Sequence, residues 1–262
     1  MDIKKAKAFL EYLYLKYNTV EYIQTDPIAF LRSAKPEKQV QEFVAFTAAM
    51  FAYGNVKAMQ GFLQGFFTSC GTDPLKLKAN PKKLKYRFQS AEDVASYCKI
   101  MKKVYLEHES LEPLFAGATP AEAGLAGMTA LRAYFPELTH GIGFLLAMPG
   151  KSASKRLTMF LRWMIRSDAV DLGLWQNLKP EQLSMPLDVH IQRFAEKCGI
   201  ITSSDKGAKA LQKVDAFFKM LNPQDPAKYD FALARLGIAF NCKYSLDLAC
   251  KSCEEREICL FN

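Results

Sequence analysis

The residues that most clearly suggest chemistry are four cysteines near the C-terminus. Their spacing is C-x7-C-x2-C-x5-C, and they are Cys242, Cys250, Cys253 and Cys259. Thiolates are soft ligands, and four of them suit either Zn²⁺ or an iron–sulfur cluster. A structural zinc site usually contains two C-x-x-C pairs, whereas this stretch contains one. A [4Fe–4S] cluster is therefore favoured, and zinc is the alternative.

A second candidate is the carboxylate of Asp188 in the stretch MPLDVHIQRFAEKCGI, residues 185–200. Apolar residues recur at helical spacing after Asp188, so this residue is predicted to cap a helix by accepting hydrogen bonds from free N–H groups. The same carboxylate can stabilise positive charge in a reaction, and both roles can hold together. His190 is an acid–base candidate, or it orients the turn through a local hydrogen bond.

Lys155 begins another amphipathic stretch, just after the turn-forming pair Pro149-Gly150. A lysine amine can attack a sugar C1′ and form a Schiff base if the amine is neutral. On a helix, Lys155, Arg162 and Arg166 share roughly one face, and neighbouring cations favour the neutral amine. The alternative is a surface lysine beside a turn.

These stretches resemble parts of the helix-hairpin-helix DNA glycosylases. The tail resembles that of endonuclease III, which binds a [4Fe–4S] cluster through a similar four-cysteine pattern. PLDVHIQRFAEKCGI resembles the segment that carries the family's catalytic aspartate, which implies that role for Asp188. LLAMPGKSASKRLTMF resembles the family hairpin, which implies Lys155 as the nucleophile, with Lys151 as the alternative. The long separation from Lys155 to Asp188 is similar to that of archaeal 8-oxoguanine glycosylases.

The resemblance also implies a DNA contact surface. A tight turn before a helix offers backbone N–H groups to a phosphate. FAYGNVKAM, residues 51–59, lies where the family carries residues that extrude a base, and the alternative is a helix break at Gly54 with Tyr53 in the core. The residues predicted to contact DNA are Pro149, Gly150, Lys151, Ser152, Ser154, Arg162, Tyr53, Asn55 and His190.

Two further features have open interpretations. KLKANPKKLKYR, residues 76–87, carries six Lys or Arg residues and no acid. It is either a solvated loop or a segment that contacts phosphates. Trp175 either fixes a loop or stacks on a base.

The chain is predicted to be all-α. Apolar residues follow the helical period in eleven segments, from 2–17 to 226–239, and alternating strand patterns are scarce. Helix caps are predicted at Ser90 and Thr119. With the resemblance, the expected fold has two lobes. A six-helix barrel containing the hairpin spans 36–167, and a second lobe spans 1–35 and 168–262 and ends in the cysteine loop, 242–259.

Composition suggests a partner and a location. The formal net charge of +8 favours an anionic partner, most commonly nucleic acid. No run of apolar residues is long enough to cross a membrane, and the N-terminus does not follow the signal-peptide pattern. We therefore expect a cytoplasmic, nucleoid-associated monomer that binds double-stranded DNA and no membrane.

The function expected from these features is base-excision DNA repair. The resemblance implies a DNA glycosylase, a hydrolase with AP-lyase activity if Lys155 is the nucleophile, and an oxidised purine is the favoured substrate. The alternative is an iron–sulfur nucleic-acid-binding protein of the same fold without catalysis, and a third possibility is a zinc-stapled interaction domain. The chain also resembles a family of uncharacterised bacterial proteins that share KRLxMFLRWM and PLDVH.

Overall fold

The computed structural model describes residues 2–150, 152–239, 242, 244, 253 and 255–260. The helices of this part of the chain, α1 to α11 in order, are Ile3–Tyr17, Ala29–Arg32, Lys38–Met50, Val56–Cys70, Ala91–His108, Pro120–Ala133, His140–Leu145, Lys155–Ile165, Val189–Lys197, Gly207–Leu221 and Asp230–Ala239. No β-strand occurs among the described residues, so the all-α prediction is confirmed. None of these helices has both the length and the apolar character needed to cross a membrane.

Side-chain caps explain where α5 and α6 begin. Ser90 and Asp93 form a reciprocal capping box, in which Asp93 N donates to Ser90 Oγ at 3.1 Å and Ser90 N donates to Asp93 Oδ2 at 2.9 Å. Thr119 Oγ1 accepts from Glu122 N at 3.2 Å, and Pro120 occupies the first helical position. Both caps confirm the prediction from sequence.

The chain divides into two compact units. Unit 1 comprises Met1–Tyr22, Gly150–Thr158 and Lys179–Asn262, and unit 2 comprises Ile23–Pro149 and Met159–Leu178. Helix α8 contributes its first turn to unit 1 and its remaining residues to unit 2. Lys155 therefore lies in unit 1 together with Asp188, whereas the residues up to Pro149, before the predicted hairpin turn, lie in unit 2.

Unit 1 has an apolar core to which four helices contribute. The buried side chains recur at helical spacing, so each helix turns one face inward. The core includes Phe9 and Leu13 of α1, Ile191 and Phe194 of α9, Val214 and Phe218 of α10, and Leu233 of α11. Removal of this surface from water is the main favourable contribution to the stability of unit 1.

Unit 2 has a core rich in aromatic rings. Phe46 meets Phe160 edge to face, with ring centroids 5.1 Å apart, and Phe160 meets Trp175 in the same way at 5.1 Å. Edge-to-face pairs are favoured by the ring quadrupoles and add to the gain from burial. Trp175 thus joins the core through an interlocked aromatic group.

A fully buried carboxylate, Glu42 on α3, holds the segments around this core. Its Oε1 accepts from Trp175 Nε1 at 2.6 Å and from Ser110 Oγ at 2.8 Å, and its Oε2 accepts from Leu111 N at 2.7 Å. Trp175 is 1% exposed. Trp175 therefore fixes its loop, and its ring is not accessible for stacking on a base.

A second buried ionic group involves Arg162, which the sequence suggests as a DNA contact. Arg162 lies in unit 2, is 3% exposed and pairs with Asp171 Oδ1 at 3.1 Å, while Arg166 binds the other carboxylate oxygen. Burial raises the pKa of Asp171, and the two guanidinium groups oppose that effect. The Arg162 guanidinium is thus occupied within the protein and is not presented to a phosphate.

Glu42 offers a test of the fold. We expect Glu42→Ala to reduce the free energy of unfolding by about 3 kcal/mol, because it leaves the Trp175 and Leu111 donors buried without a partner. Both tryptophans of the chain lie in unit 2, so urea unfolding followed by tryptophan fluorescence reports on this unit. Glu137 is exposed, and Glu137→Ala is the matched control with unchanged stability. Equal stability of the two variants would contradict the role of Glu42.

Candidate functional site

Asp188 holds the N-terminus of α9 in unit 1. Its Oδ1 accepts from His190 N at 2.8 Å and from Ile191 N at 2.9 Å, so the predicted helix cap is present. Both bonds use the same oxygen, which leaves Oδ2 directed to a different group. The Asp188 side chain keeps 13% of its surface exposed, so solvent or a ligand can reach the carboxylate.

Asp188 Oδ2 faces the amine of Lys155. Lys155 Nζ lies 3.7 Å from Asp188 Oδ2, and the Lys155 side chain is 41% exposed. Lys155 is the first residue of α8, and Ser154 before it has a left-handed backbone with φ of 47°. The structure thus brings together, in one unit, the two residues that the sequence suggests for catalysis.

His190 lies on the same turn of α9 and is half-buried. Its Nδ1 is enclosed and has no hydrogen-bond partner among the described residues. Burial lowers the pKa of His190, Asp188 raises it, and Arg193, Lys155 and Arg235 lower it. A neutral imidazole beside Lys155 adds no positive charge to the site at neutral pH.

Two residues that sequence reasoning missed support this site. Gly237 of α11 faces the His190 ring so closely that a Cβ atom there would overlap the imidazole. Tyr244 is buried, its OH donates to Leu233 O at 2.8 Å, and its ring packs edge to face on Phe194. Burial raises the pKa of Tyr244, and Asp188 is among the charges that raise it further. An isolated glycine within a helical pattern was the available signal for Gly237.

The turn before α8 contains several predicted DNA contacts. Gly150 has φ of 131°, a conformation that favours glycine, and the space beside it is open. Ser152 Oγ accepts from Ser154 N at 3.3 Å, which shapes the approach to the helix. Pro149 is the last residue of its unit 2 segment, and Lys151 lies outside the described residues.

The residues suggested for base extrusion lie in unit 2. Asn55 caps α4 and accepts from Ala58 N at 3.2 Å. The Tyr53 hydroxyl donates to Gln89 Oε1, and its ring packs on Tyr86 with centroids 5.1 Å apart. Both side chains therefore have structural partners in unit 2.

The cysteine tail is described only in part. Cys242, Cys253 and Cys259 are partly buried, and Cys250 lies outside the described residues. No group of three or more His, Cys, Asp or Glu side chains in the described part of the chain is placed to hold a metal ion. The described residues alone therefore do not form a site for the cluster or for zinc.

The tail is nevertheless attached to α1. Glu255 is almost fully buried, accepts a hydrogen bond from the Tyr17 hydroxyl and pairs with Lys16 Nζ at 2.6 Å. This contact fixes one point of the cysteine segment to the core of unit 1.

The fold and site define an all-α protein with a lysine, an aspartate and a histidine grouped in one unit. Within that class, the chain belongs to the family described as Protein of unknown function (DUF2400), which matches residues 26–239. The three site residues lie inside the matched range, and the four cysteines lie outside it.

This comparison corrects one prediction and agrees with another. Membership of the helix-hairpin-helix DNA glycosylase superfamily, inferred from the motif resemblance, is wrong, because the family that matches is the one of unknown function and no such glycosylase family matches. The resemblance to an uncharacterised family agrees with the match. No curated protein and no solved structure matches the chain.

The electrostatics of the site can be tested by titration of His190. We expect its pKa to lie below the ordinary 6.5, so that stability falls as pH drops below about 6.5, where the unfolded chain takes up a proton that native His190 refuses. Asp188→Asn should lower the pKa of His190 further, and Lys155→Gln should raise it. NMR titration of the three histidines measures this, with His108 of unit 2 as the unchanged internal control. A rise of the His190 pKa in Asp188→Asn, or a fall in Lys155→Gln, would refute the geometry.

Gly237 gives a second test. We expect Gly237→Ala to cost about 1–3 kcal/mol of stability and to displace the His190 resonances, because the added methyl group occupies the volume of the imidazole. Gly61 of α4 has open space at its Cβ position, so Gly61→Ala should be neutral or stabilising. Thermal unfolding by circular dichroism and the His190 NMR signal distinguish the two variants. An unshifted His190 signal in Gly237→Ala would show that the contact does not exist in solution.

Proposed function

We propose that the chain is a base-excision repair DNA glycosylase with AP-lyase activity, in which Lys155 is the nucleophile and Asp188 the assisting carboxylate. The observation that carries the proposal is the 3.7 Å separation between Lys155 Nζ and Asp188 Oδ2 in a solvent-accessible position. An amine beside a carboxylate is the combination that imine-forming cleavage of an N-glycosidic bond requires.

Each group has a defined part in the proposed reaction. The neutral Lys155 amine bonds to C1′ of the sugar as the N-glycosidic bond breaks, and the bonding electrons leave with the base, which takes up a proton. Asp188 stabilises the positive charge that develops on the sugar and accepts the proton that the amine loses. The C1′–O4′ bond then opens, O4′ takes the proton that Asp188 holds, and a protonated Schiff base forms between C1′ and Lys155, which leaves Asp188 ionised again.

The lyase step follows from the Schiff base. The imine acidifies the hydrogen on C2′, a base removes that proton, and the 3′ phosphate leaves by β-elimination. Asp188 is the nearest described carboxylate to Lys155 and is placed to accept this second proton.

The partner proposed for this site is double-stranded DNA that contains a damaged base, with an oxidised purine as the first substrate to test. The net charge of +8 supports an anionic partner. The turn around Gly150 supports phosphate contact, because it leads into the N-terminus of α8. The proposal also includes a two-lobed fold with a hairpin and a cysteine loop, a monomeric state and association with the nucleoid.

One observation favours the non-catalytic alternative, an iron–sulfur protein that binds nucleic acid. Asp188 Oδ1 is already used as the cap of α9, and Oδ2 faces a cation. A purely structural ion pair between two helix starts would have the same geometry. Covalent trapping separates the two functions.

The test is borohydride trapping on duplexes that carry 8-oxoguanine, thymine glycol, uracil or an abasic site. Borohydride reduces a Schiff base to a stable amine, so wild-type protein should become covalently linked to at least one duplex. Lys155→Gln should abolish the adduct, and Asp188→Asn should slow its formation by roughly 10²–10³-fold. The matched control is Lys197→Gln, because Lys197 is an exposed lysine on α9.

The controls decide between the outcomes. An adduct that persists in Lys155→Gln would remove Lys155 from the reaction. If no duplex gives an adduct or cleavage while binding is retained, the non-catalytic alternative replaces the glycosylase. Loss of the adduct in Lys197→Gln as well would indicate a general effect on DNA binding.

The cysteine tail is proposed to hold a [4Fe–4S] cluster, with zinc as the alternative, once Cys250 joins the three described cysteines. We expect anaerobically purified protein to be brown and to contain iron, and Cys253→Ser to lose both properties. Cys70→Ser is the matched control, because Cys70 lies in unit 2. A colourless protein with one equivalent of zinc would identify zinc as the occupant, and metal-free protein would overturn the proposal.

A further inference from the structure

An aromatic surface with one charged residue on it lies in unit 2. Phe88 is 42% exposed, and its ring centroid lies 4.6 Å from that of Phe144 and 6.2 Å from that of Tyr53, whose ring is within 10° of parallel. His140 meets Phe88 edge to face at 5.6 Å. We refer to Tyr53, Arg87, Phe88, His140 and Phe144 as the Phe88 platform.

Arg87 completes the platform. Its guanidinium carbon lies 5.6 Å from the Phe88 ring centroid and 5.9 Å from that of Tyr53, within the range of a cation–π contact. Gly54, with φ of 86°, makes room for it, since a Cβ atom there would lie 3.0 Å from Arg87 Cδ. Arg87 is exposed and forms no ion pair in the described part of the chain. Its charge therefore remains available to an anion.

The platform is held rigidly from below. The Tyr53 hydroxyl donates to Gln89 Oε1, and Gln89 Nε2 donates to Gly141 O at 2.7 Å. The Tyr86 hydroxyl donates to Tyr53 O, and Tyr86 and Gln89 exchange backbone hydrogen bonds of 3.0 and 2.9 Å. These bonds fix the backbone on both sides of Phe88, so the exposed ring is preorganised for binding.

A basic segment of the chain directly precedes this platform. Residues 74–91 contain no acidic residue, and four exposed lysines without an ion pair in the described structure precede Arg87: Lys78, Lys82, Lys83 and Lys85. Asn80 fixes the loop, because its Nδ2 donates to Leu84 O and to Ala91 O, both at 2.9 Å. The loop thus displays a row of cations on an ordered backbone.

We propose that the Phe88 platform and these lysines bind single-stranded DNA, with a base stacked on Phe88 and phosphates on Arg87 and the lysines. Base–aromatic stacking beside a cationic track is the way in which proteins bind single strands without sequence preference. A duplex presents its phosphates but not the faces of its bases. The inference lies beyond the Lys155 site and does not depend on its chemistry.

The experiment measures binding of fluorescein-labelled oligothymidylate to the full chain by fluorescence anisotropy. We expect Phe88→Ala to weaken binding by about tenfold or more, from the loss of one stacked base, and Phe88→Tyr to restore it. Lys82→Gln with Lys83→Gln should weaken binding and reduce its salt dependence. Leu106→Ala, an exposed apolar residue of α5, and Lys99→Gln, an exposed lysine of α5, are the matched controls and should bind as wild type.

Competing outcomes are measured with the same protein. Equal binding of Phe88→Ala and wild type, with the tryptophan unfolding curve unchanged, would overturn stacking. A loss of duplex affinity in Phe88→Ala larger than its loss of oligothymidylate affinity, or tighter binding of wild type to oligouridylate than to oligothymidylate, would overturn the assignment to single-stranded DNA. Binding to vesicles of anionic phospholipid without binding to the oligonucleotide would assign the surface to a membrane instead.

The Lys155 variant separates this proposal from the catalytic one. Lys155→Gln should bind oligothymidylate as wild type does, because Lys155 lies in unit 1 and the platform in unit 2. Intact binding with failed trapping would leave the platform assigned and the glycosylase rejected. Intact trapping with binding unaffected by Phe88→Ala would reject the platform alone.

Discussion

A carboxylate removed from water must be surrounded by donors, and this constraint shapes both units. Unit 2 satisfies it at Glu42, where two segments far apart in the chain, carrying Leu111 and Trp175, supply the donors. Because an unpaired buried charge costs several kcal/mol, the segments around Glu42 cannot separate without a large loss of stability. Asp171 meets the same requirement through ion pairs with Arg162 and Arg166, which are buried beside it.

Asp188 satisfies this need for donors in a different way, and the difference makes it the candidate catalytic carboxylate. One of its oxygens satisfies two backbone N–H groups, while the other meets an amine that solvent can also reach. The cap holds the carboxylate in place without using all of its capacity to accept. A substrate that approaches Lys155 therefore meets a carboxylate that is already oriented. Glu42 has no comparable access, because its donors enclose it completely.

The sequence predicts the helices well because their information is local. Apolar period, caps and turn residues locate the helices, and the Ser90 and Thr119 caps lie where the pattern places them. Side-chain partners depend on residues that are distant in the chain, so a local sequence pattern predicts them less well. Helical spacing places Lys155 and Arg162 on one face, but it cannot reveal that Asp171 folds back onto Arg162. A glutamate on an amphipathic helix such as Glu42 is expected to face solvent, and only the fold reveals its tryptophan partner.

The candidate site was predictable in part for the same reason. The Asp188 cap follows from residue types next to one another, whereas its approach to Lys155 was suggested by a family resemblance that the comparison overturns. What supports the contact is its geometry, a separation of 3.7 Å between Lys155 Nζ and Asp188 Oδ2. Gly237 and Tyr244 were missed because their roles exist only once α11 and the segment after it pack against α9.

Backbone strain gives an independent view of where this chain is specialised. Left-handed φ values at residues other than glycine are costly and persist where surrounding contacts enforce them. In the described part of the chain, Ser154 precedes Lys155, and Tyr244 packs beside α9. Asn80, Lys83 and Arg87 lie in the basic loop that leads to Phe88. The sixth left-handed residue of the described part of the chain, Glu109, ends α5. The other five thus lie at the Lys155 site or in the basic loop that leads to Phe88.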